Sequence, residues 1–348
     1  MRGGTFGRLR RFCGGGYAVN DRNALSRPAG QGAIAPHNAM KSGVSFVVPV
    51  FNKAAFLIET LRSIASQRGD FEREFIFVDD GSSDDSMAII QAQTKGWQNV
   101  TIVSQENRGS AGATNRGLAL ASRVYVKFVD ADDLLSPFAT EALLRALDKT
   151  DAVLAHGDLI AFQLDKRPAI DIKPPPYRTS VNTAPLKSVL RTSYFNPTQI
   201  MVRTKEAQAV GGCDERVVHS QEYGLALRLA RIGTFCHVHA TFAWQPVGAP
   251  CQLSSQPARQ LKRVTLTSAY FLRDFPETPV SLQRYAHRRA AGRAWKWARR
   301  QHNVGFGSRW FWRFALSRLA MVHDYAREIE RCATVFDDSG LGRRAPGS

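Results

Sequence analysis

The chain has 348 residues, 44% hydrophobic and 22% charged, with a formal net charge of +17. That length and apolar content allow a substantial core, in one large domain or a domain with appendages. The charge is uneven: residues 1–43 hold seven Lys/Arg against one acid, Asp21, and residues 283–313 hold nine against none. A near-neutral middle thus lies between two basic flanks, which call for an anionic partner such as lipid headgroups or nucleic acid.

The leader 1–43 is rich in arginine and glycine and has no compact apolar core. It does not read as a secretory signal and is expected to be disordered. Met40, just before the first strand, offers an alternative start of translation. Cys13, Cys213, Cys236, Cys251 and Cys332 are scattered without CxxC pairs. Their spacing suits neither a zinc site nor a disulfide scaffold, which favours a reducing cytoplasm. No uninterrupted apolar run approaches the roughly 18–20 residues that span a bilayer.

Val44 to Val50 is a continuous β-branched apolar run, the pattern of a strand buried on both faces. Asn52 can cap the next segment, where Phe56, Leu57, Leu61, Ile64 and Ala65 fall at helical spacing. Glu74 to Val78 predicts a second strand, ending at Asp79-Asp80-Gly81-Ser82-Ser83-Asp84. A helix is expected around Met87, Ile89 and Ile90, a third strand over 100–103, an Ala-rich helix over 110–122, and a fourth strand over 124–129. That strand runs into Asp130-Ala131-Asp132-Asp133. Four strand–helix alternations predict an α/β fold with a mainly parallel sheet. Ligands of such sheets bind at the carboxyl ends of the strands, where Asn52, Asp79-Asp80 and Asp130-Asp132 fall. A fifth strand is expected near 151–155, a Pro-rich loop over 163–185, a strand over 196–203, and a helix over 221–232. Domain limits are expected at 44–250 for the α/β domain, 251–335 for a helical basic region and 336–348 for a flexible tail.

An Asp-x-Asp at a strand end aims two carboxylates into one crevice, where a hard divalent cation can bridge them to a diphosphate. Alone the pattern is weak, since Asp-rich loops are common turns and caps. Its company is more specific. VSFVVPVFN, FIFVDDGSSDDS, SQENRGSAGATNRGLALA and VKFVDADD follow in that order. The chain resembles glycosyltransferase family 2, inverting enzymes with the GT-A fold, closely over 44–140 and more weakly to about 235.

The resemblance implies a nucleotide-sugar donor, a UDP-sugar foremost, with Mg²⁺ or Mn²⁺ as cofactor and a glycan or lipid-linked acceptor in the cell envelope. By position, Pro49 to Asn52 would line the nucleotide pocket, Asp80 would read a base edge with Asp79 in support, and Asn107 to Gly109 would border the nucleotide. Asp130 would sit by the ribose or the metal, and Asp132 would be the principal metal ligand. Where relatives carry Glu-Asp before Leu-x-Leu-Arg, this chain has Gln221-Glu222. That gives Glu222 the general-base position with a side chain one methylene longer. Trp244 to Gly248 lacks the Arg or His that many relatives place there.

His237 and His239 would share one face of a strand. The basic stretch 283–313 interleaves Trp295, Trp297, Trp310, Phe311 and Trp312 with arginines. That pattern suits an anionic bilayer surface more than nucleic acid and implies a cytoplasmic protein peripheral on the membrane. The competing reading is a non-catalytic membrane- or nucleic-acid-binding protein on a degenerate transferase fold.

Overall fold

The computed structural model describes residues 40–170, 173–192, 195–217, 221–248, 256–319 and 322–337. Residues 1–39 of the leader and the tail beyond 337 lie outside the described residues, and the last leader residues, expected to be disordered, are instead the start of the first strand, at Lys41.

Strand β1 (Lys41–Val50) pairs in parallel with β2 (Arg73–Asp79) on one side and β4 (Arg123–Phe128) on the other, and β3 (Val100–Ser104) extends the sheet beyond β2. The crossovers are α1 (Ala54–Ala65), α2 (Ser86–Gln93) and α3 (Gly109–Leu120). Val44, Phe46, Val48 and Val50 point to the core under α1 and α4 (Ala139–Lys149), while Val47 points to the opposite core under α3. Burial on both faces is why β1 is apolar without alternation. The glycines and alanines of α3 have a packing reason. A Cβ on Gly117 would lie 2.4 Å from Val47 Cγ1, so the helix backbone rests directly on β1.

Past β4 the sheet becomes mixed. A two-residue β5 (Leu134–Leu135) pairs antiparallel with β9 (Thr234–Val247). The long β6 (Ala152–Gln163) runs parallel to β9 and antiparallel to β8 (Ile200–Arg203), which joins β4. The sheet order is β3-β2-β1-β4-β8-β6-β9-β5. The segment expected to be a loop over 163–185 contains one more strand, β7 (Thr179–Asn182), on the outer side of β9. Its four residues are exposed and polar apart from Val181, so no apolar alternation marks it in the sequence.

Helices α5 (Pro185–Arg191), α6 (Thr204–Ala209) and α7 (Gln221–Leu229) cover the α3 face. Against them pack α8 (Pro257–Asp274), α9 (Val280–Gln301), α10 (Arg309–Leu319) and α11 (Tyr325–Ala333). Ala290, Ala294, Trp295, Trp310 and Ile329 belong to the same continuous core as Val47, Phe128 and Tyr223. The basic region is therefore built into the globule: Arg289 and Arg293 reach the Arg191 carbonyl, and Arg216 bridges Asp214 and Asp274. Trp295 and Trp310, expected among the membrane-facing aromatics, are core residues at 7% and 5% exposure. No described helix is long and apolar enough to cross a membrane.

Candidate active site

The carboxyl ends of β1, β2 and β4 lie side by side. Between them the first two loops are stitched together. Asn52, at φ 52°, accepts from the Ser83 backbone N–H at 2.8 Å and donates its own N–H to Ser82 Oγ at 3.0 Å. The Lys53 and Ala54 amides donate to Ser86 Oγ and Asp84 Oδ2, at 2.8 and 3.0 Å. Asp-Gly-Ser-Ser-Asp is thus a cap for the start of α1, supplied by the neighbouring crossover. Pro49 sits within β1, opposite Val78.

Asp79 and Asp80 are 6% and 2% exposed. Asp79 accepts from the Ser82 amide, closing the turn at Gly81. Asp80 accepts from Gln105 Nε2 at 2.8 Å and from the Arg108 amide at 2.9 Å. The Asn107–Gly109 loop is therefore fastened to the Asp80 carboxylate, and Asn107 itself accepts from the Gly109 amide. Glu215 ties this loop to α3 by accepting from Arg108 and Asn115, each at 2.8 Å.

At the end of β4 negative charge is concentrated. The Asp130 amide donates to Thr198 Oγ1, whose hydroxyl donates to Asp133 at 2.6 Å. Thr198 belongs to the 3₁₀ turn Pro197–Gln199 ahead of β8. Burial, then the charges of Asp132 and Glu222, raise the Asp130 pKa above the usual carboxylate range. Burial and the neighbouring Asp130 and Asp132 raise Asp133 as well, and its Oδ1 is buried without a hydrogen-bond partner. Two cations answer this charge. Lys53 forms an ion pair with Asp132. Lys127, buried and pushed down to about 7 by desolvation, is held by the carbonyls of Phe128 and Thr198.

Asp130 therefore feels both its chain neighbour Asp132 and Glu222, which comes from far along the sequence in the first turn of α7. Sequence reasoning missed Lys53, Gln105, Thr198, Asp133 and Glu215. Lys53 follows Asn52 directly, and Asp133 completes the acidic run, so both lay within motifs already singled out. Gln105 lies in the SQENRGS motif and Glu215 in the turn before α7, but their roles depend on partners in distant elements; nothing local marks Thr198.

The donor set suits a divalent cation. Crowded carboxylates with raised pKa values and an orphaned buried oxygen gain from added positive charge. Among the described residues no three His, Cys, Asp or Glu side chains are grouped closely enough to hold a metal alone. Such an ion would take one or two carboxylates here and complete its shell with diphosphate oxygens and water.

Residues 45–203 match the family model "Glycosyl transferase family 2". The segment from β1 through β8 is a glycosyltransferase family 2 domain. Among curated relatives, glycosyltransferase GlyG of Streptococcus pneumoniae serotype 4 is 34% identical over 120 residues, which is 34% of this chain and 40% of GlyG. The chain spans less than half the length of the curated relatives it matches. Among solved structures, S. aureus TarS 1–349 in complex with UDP-GlcNAc superposes with a TM-score of 0.59 at 18% identity, covering 85% of this chain and 90% of that one. The mannosyltransferase PcManGT from Pyrobaculum calidifontis, in complex with GDP-Man and Mn²⁺, does so at 0.50 and 20%, covering 87% of each. The family's fold is the GT-A fold, and the mixed α/β sheet flanked by helices has that architecture.

Proposed function

We propose that the protein is a metal-dependent, inverting glycosyltransferase that moves a hexosyl or related residue from a nucleoside-diphosphate sugar to an acceptor hydroxyl. The observation that carries this reading is the convergence of Asp130, Asp132 and Glu222, beside Lys53, at the sheet edge that also bears Asp79 and Asp80. Pro49 to Asn52, Asp80 and Asn107 to Gly109 bind the nucleoside, with Asp79 bracing the Asp80 turn. Asp132 is the chief ligand of Mg²⁺ or Mn²⁺, with Asp130 beside it. A divalent cation held there offsets the charge that grows on the leaving diphosphate.

Glu222 accepts the proton of the acceptor hydroxyl. The acceptor oxygen bonds to the anomeric carbon as that carbon's bond to the diphosphate oxygen breaks, and the nucleoside diphosphate departs. One base and one displacement give inversion at the anomeric carbon. Lys53 holds the Asp132 carboxylate through their ion pair before the donor arrives.

The complexes of TarS with UDP-GlcNAc and of PcManGT with GDP-Man support a nucleotide-sugar donor, and the first of them favours a UDP-sugar. We assign the acceptor to the glycans or lipid-linked sugars of the cell envelope, reached from a peripheral position on an anionic membrane through the basic C-terminal region. A hydrolysis screen of nucleotide-sugars tests the reading. One donor class should be hydrolysed slowly, stop in excess EDTA and recover with Mn²⁺ or Mg²⁺. Full activity in EDTA, or no donor turned over or bound, would overturn it.

A further inference from the structure

A second cluster of polar side chains lies outside the donor site. His156 of β6, His237 of β9 and Ser180 of β7 are cross-strand neighbours in one row of the sheet. The imidazoles of His156 and His237 stack at 4.3 Å with 14° between planes, and His239 packs against His237 at 4.0 Å. Asp158 bonds His237 Nε2 at 2.8 Å, and Ser180 Oγ bonds His239 Nε2 at 2.8 Å. A cavity of about 380 Å³ opens here, lined by His156, Asp158, Ser180, Asn182, Gln199 and His237, with Phe235 as an apolar wall.

Register fixes its position. His156 pairs with Ile200, and Met201 pairs with Lys127, so the row lies one step beyond Lys127, on the edge where β4 delivers Asp130. The turn carrying Gln199 also carries Thr198, which holds Asp130 and Asp133. His156 shares its sheet face with Leu154 and stacks edge-on against Phe195, both in the core that α7 covers. The cavity and Glu222 thus belong to the same face and the same end of the sheet.

The chemistry of the lining selects the ligand class. Burial pushes His156 down to about 3, and His237 is the next cause, so the imidazole is neutral at physiological pH. The bond from His237 holds Asp158 below its ordinary range, as a carboxylate. The lining sets one carboxylate against no Lys or Arg, which disfavours an anion, and no metal-holding group of three is present among the described residues. Paired donors and acceptors beside a ring wall match the vicinal hydroxyls and apolar face of a pyranose. We infer that this cavity is the subsite for the acceptor sugar, and that its ligand class is a neutral glycoside. The inference rests on the transferase reading above.

Ligand-detected saturation-transfer NMR on the full chain tests it. The probes are methyl glycosides of glucose, galactose, mannose and N-acetylglucosamine, with methyl glucuronide as the anionic counterpart. At least one neutral glycoside should bind saturably and more tightly than the glucuronide. Asn182→Ala, on the exposed edge strand, and His237→Ala should each weaken it about three- to ten-fold, the usual cost of one neutral hydrogen bond. UDP affinity, measured on the same samples, reports folding and the donor site. Three results would overturn the inference: no neutral glycoside binding to a protein that binds UDP, tighter binding of the glucuronide, or unchanged glycoside affinity in both variants. A protein that binds no nucleotide at all overturns the donor reading instead.

Discussion

Asp132 and Glu222 make separate demands on chemistry, and substitution separates them. Asp132 is 11% exposed and bonded to Lys53, outside the apolar core. Asp132→Ala should therefore abolish most metal-dependent turnover while leaving the thermal midpoint nearly unchanged; a fully active variant would remove the residue from the metal site. Glu222→Gln keeps the shape and loses the proton acceptor. General-base assistance contributes about 10²–10⁴-fold, so kcat should fall by that factor with donor affinity little changed. A product of retained anomeric configuration would refute the one-step mechanism. His156 sets a pH dependence of stability. Its folded pKa, about 3, lies below its ordinary 6.5, so between those values the unfolded chain binds the extra proton. Stability from this group is complete above pH 6.5 and is lost on acidification, by at most about 1.4 kcal/mol per pH unit. His156→Gln should flatten the acid limb of thermal midpoint against pH between 4 and 6. An equally steep limb would show that other groups set it.

At the scale of elements, α3 is where sequence and packing agree most closely. Its glycines make it a weaker helix former than its alanines alone would, yet Gly117 is what lets it lie on β1. Gly117→Ala would drive a methyl group to within 2.4 Å of Val47 Cγ1. Overpacking of this kind costs about 1–3 kcal/mol, so the urea midpoint should drop with the slope unchanged. A neutral or stabilising result would mean that α3 can lift from the sheet freely. Strands β1, β2 and β4 were legible because strands buried on both faces carry a strong apolar signal, and β3, only half-buried, was marked by its short β-branched run. Strand β7 was not, because an exposed edge strand of four residues has no such signal, and only its pairing with β9 defines it.

The whole molecule joins a GT-A sheet to a helical, strongly basic C-terminal layer through one core. This layer is where charge and aromatic content alone misled. Two of the five aromatics counted toward a membrane surface, Trp295 and Trp310, fill the core instead. What remains outward is Phe306, Trp312, Leu316 and Leu319, 71%, 55%, 52% and 79% exposed, beside Arg309 and Arg318. Trp312, Leu316 and Leu319 fall on one face of α10 at spacings of four and three. The protein should sediment with anionic liposomes, release in high salt and stay in solution with neutral ones. A Trp312→Ser, Leu316→Ser double variant should weaken that binding without unfolding the chain. Removal of residues beyond 282 is a poor test, since it strips α9 from the core. Equal binding to neutral and anionic liposomes, or to neither, would assign the layer to packing alone.

The sequence by itself determined the α/β class, the family resemblance and the two acidic clusters at the ends of β2 and β4. These depend on local signals: apolar runs that must be buried, turn residues at strand ends, and carboxylates spaced along one segment. Only the tertiary structure decided what those clusters touch. Lys53 faces Asp132, Gln105 faces Asp80, Thr198 braces Asp130 and Asp133, and the histidines of β6 and β9 stack in one row. Each contact joins residues brought together by strand register and helix packing. Their energies depend on distance and burial in three dimensions, which no periodicity along the chain encodes.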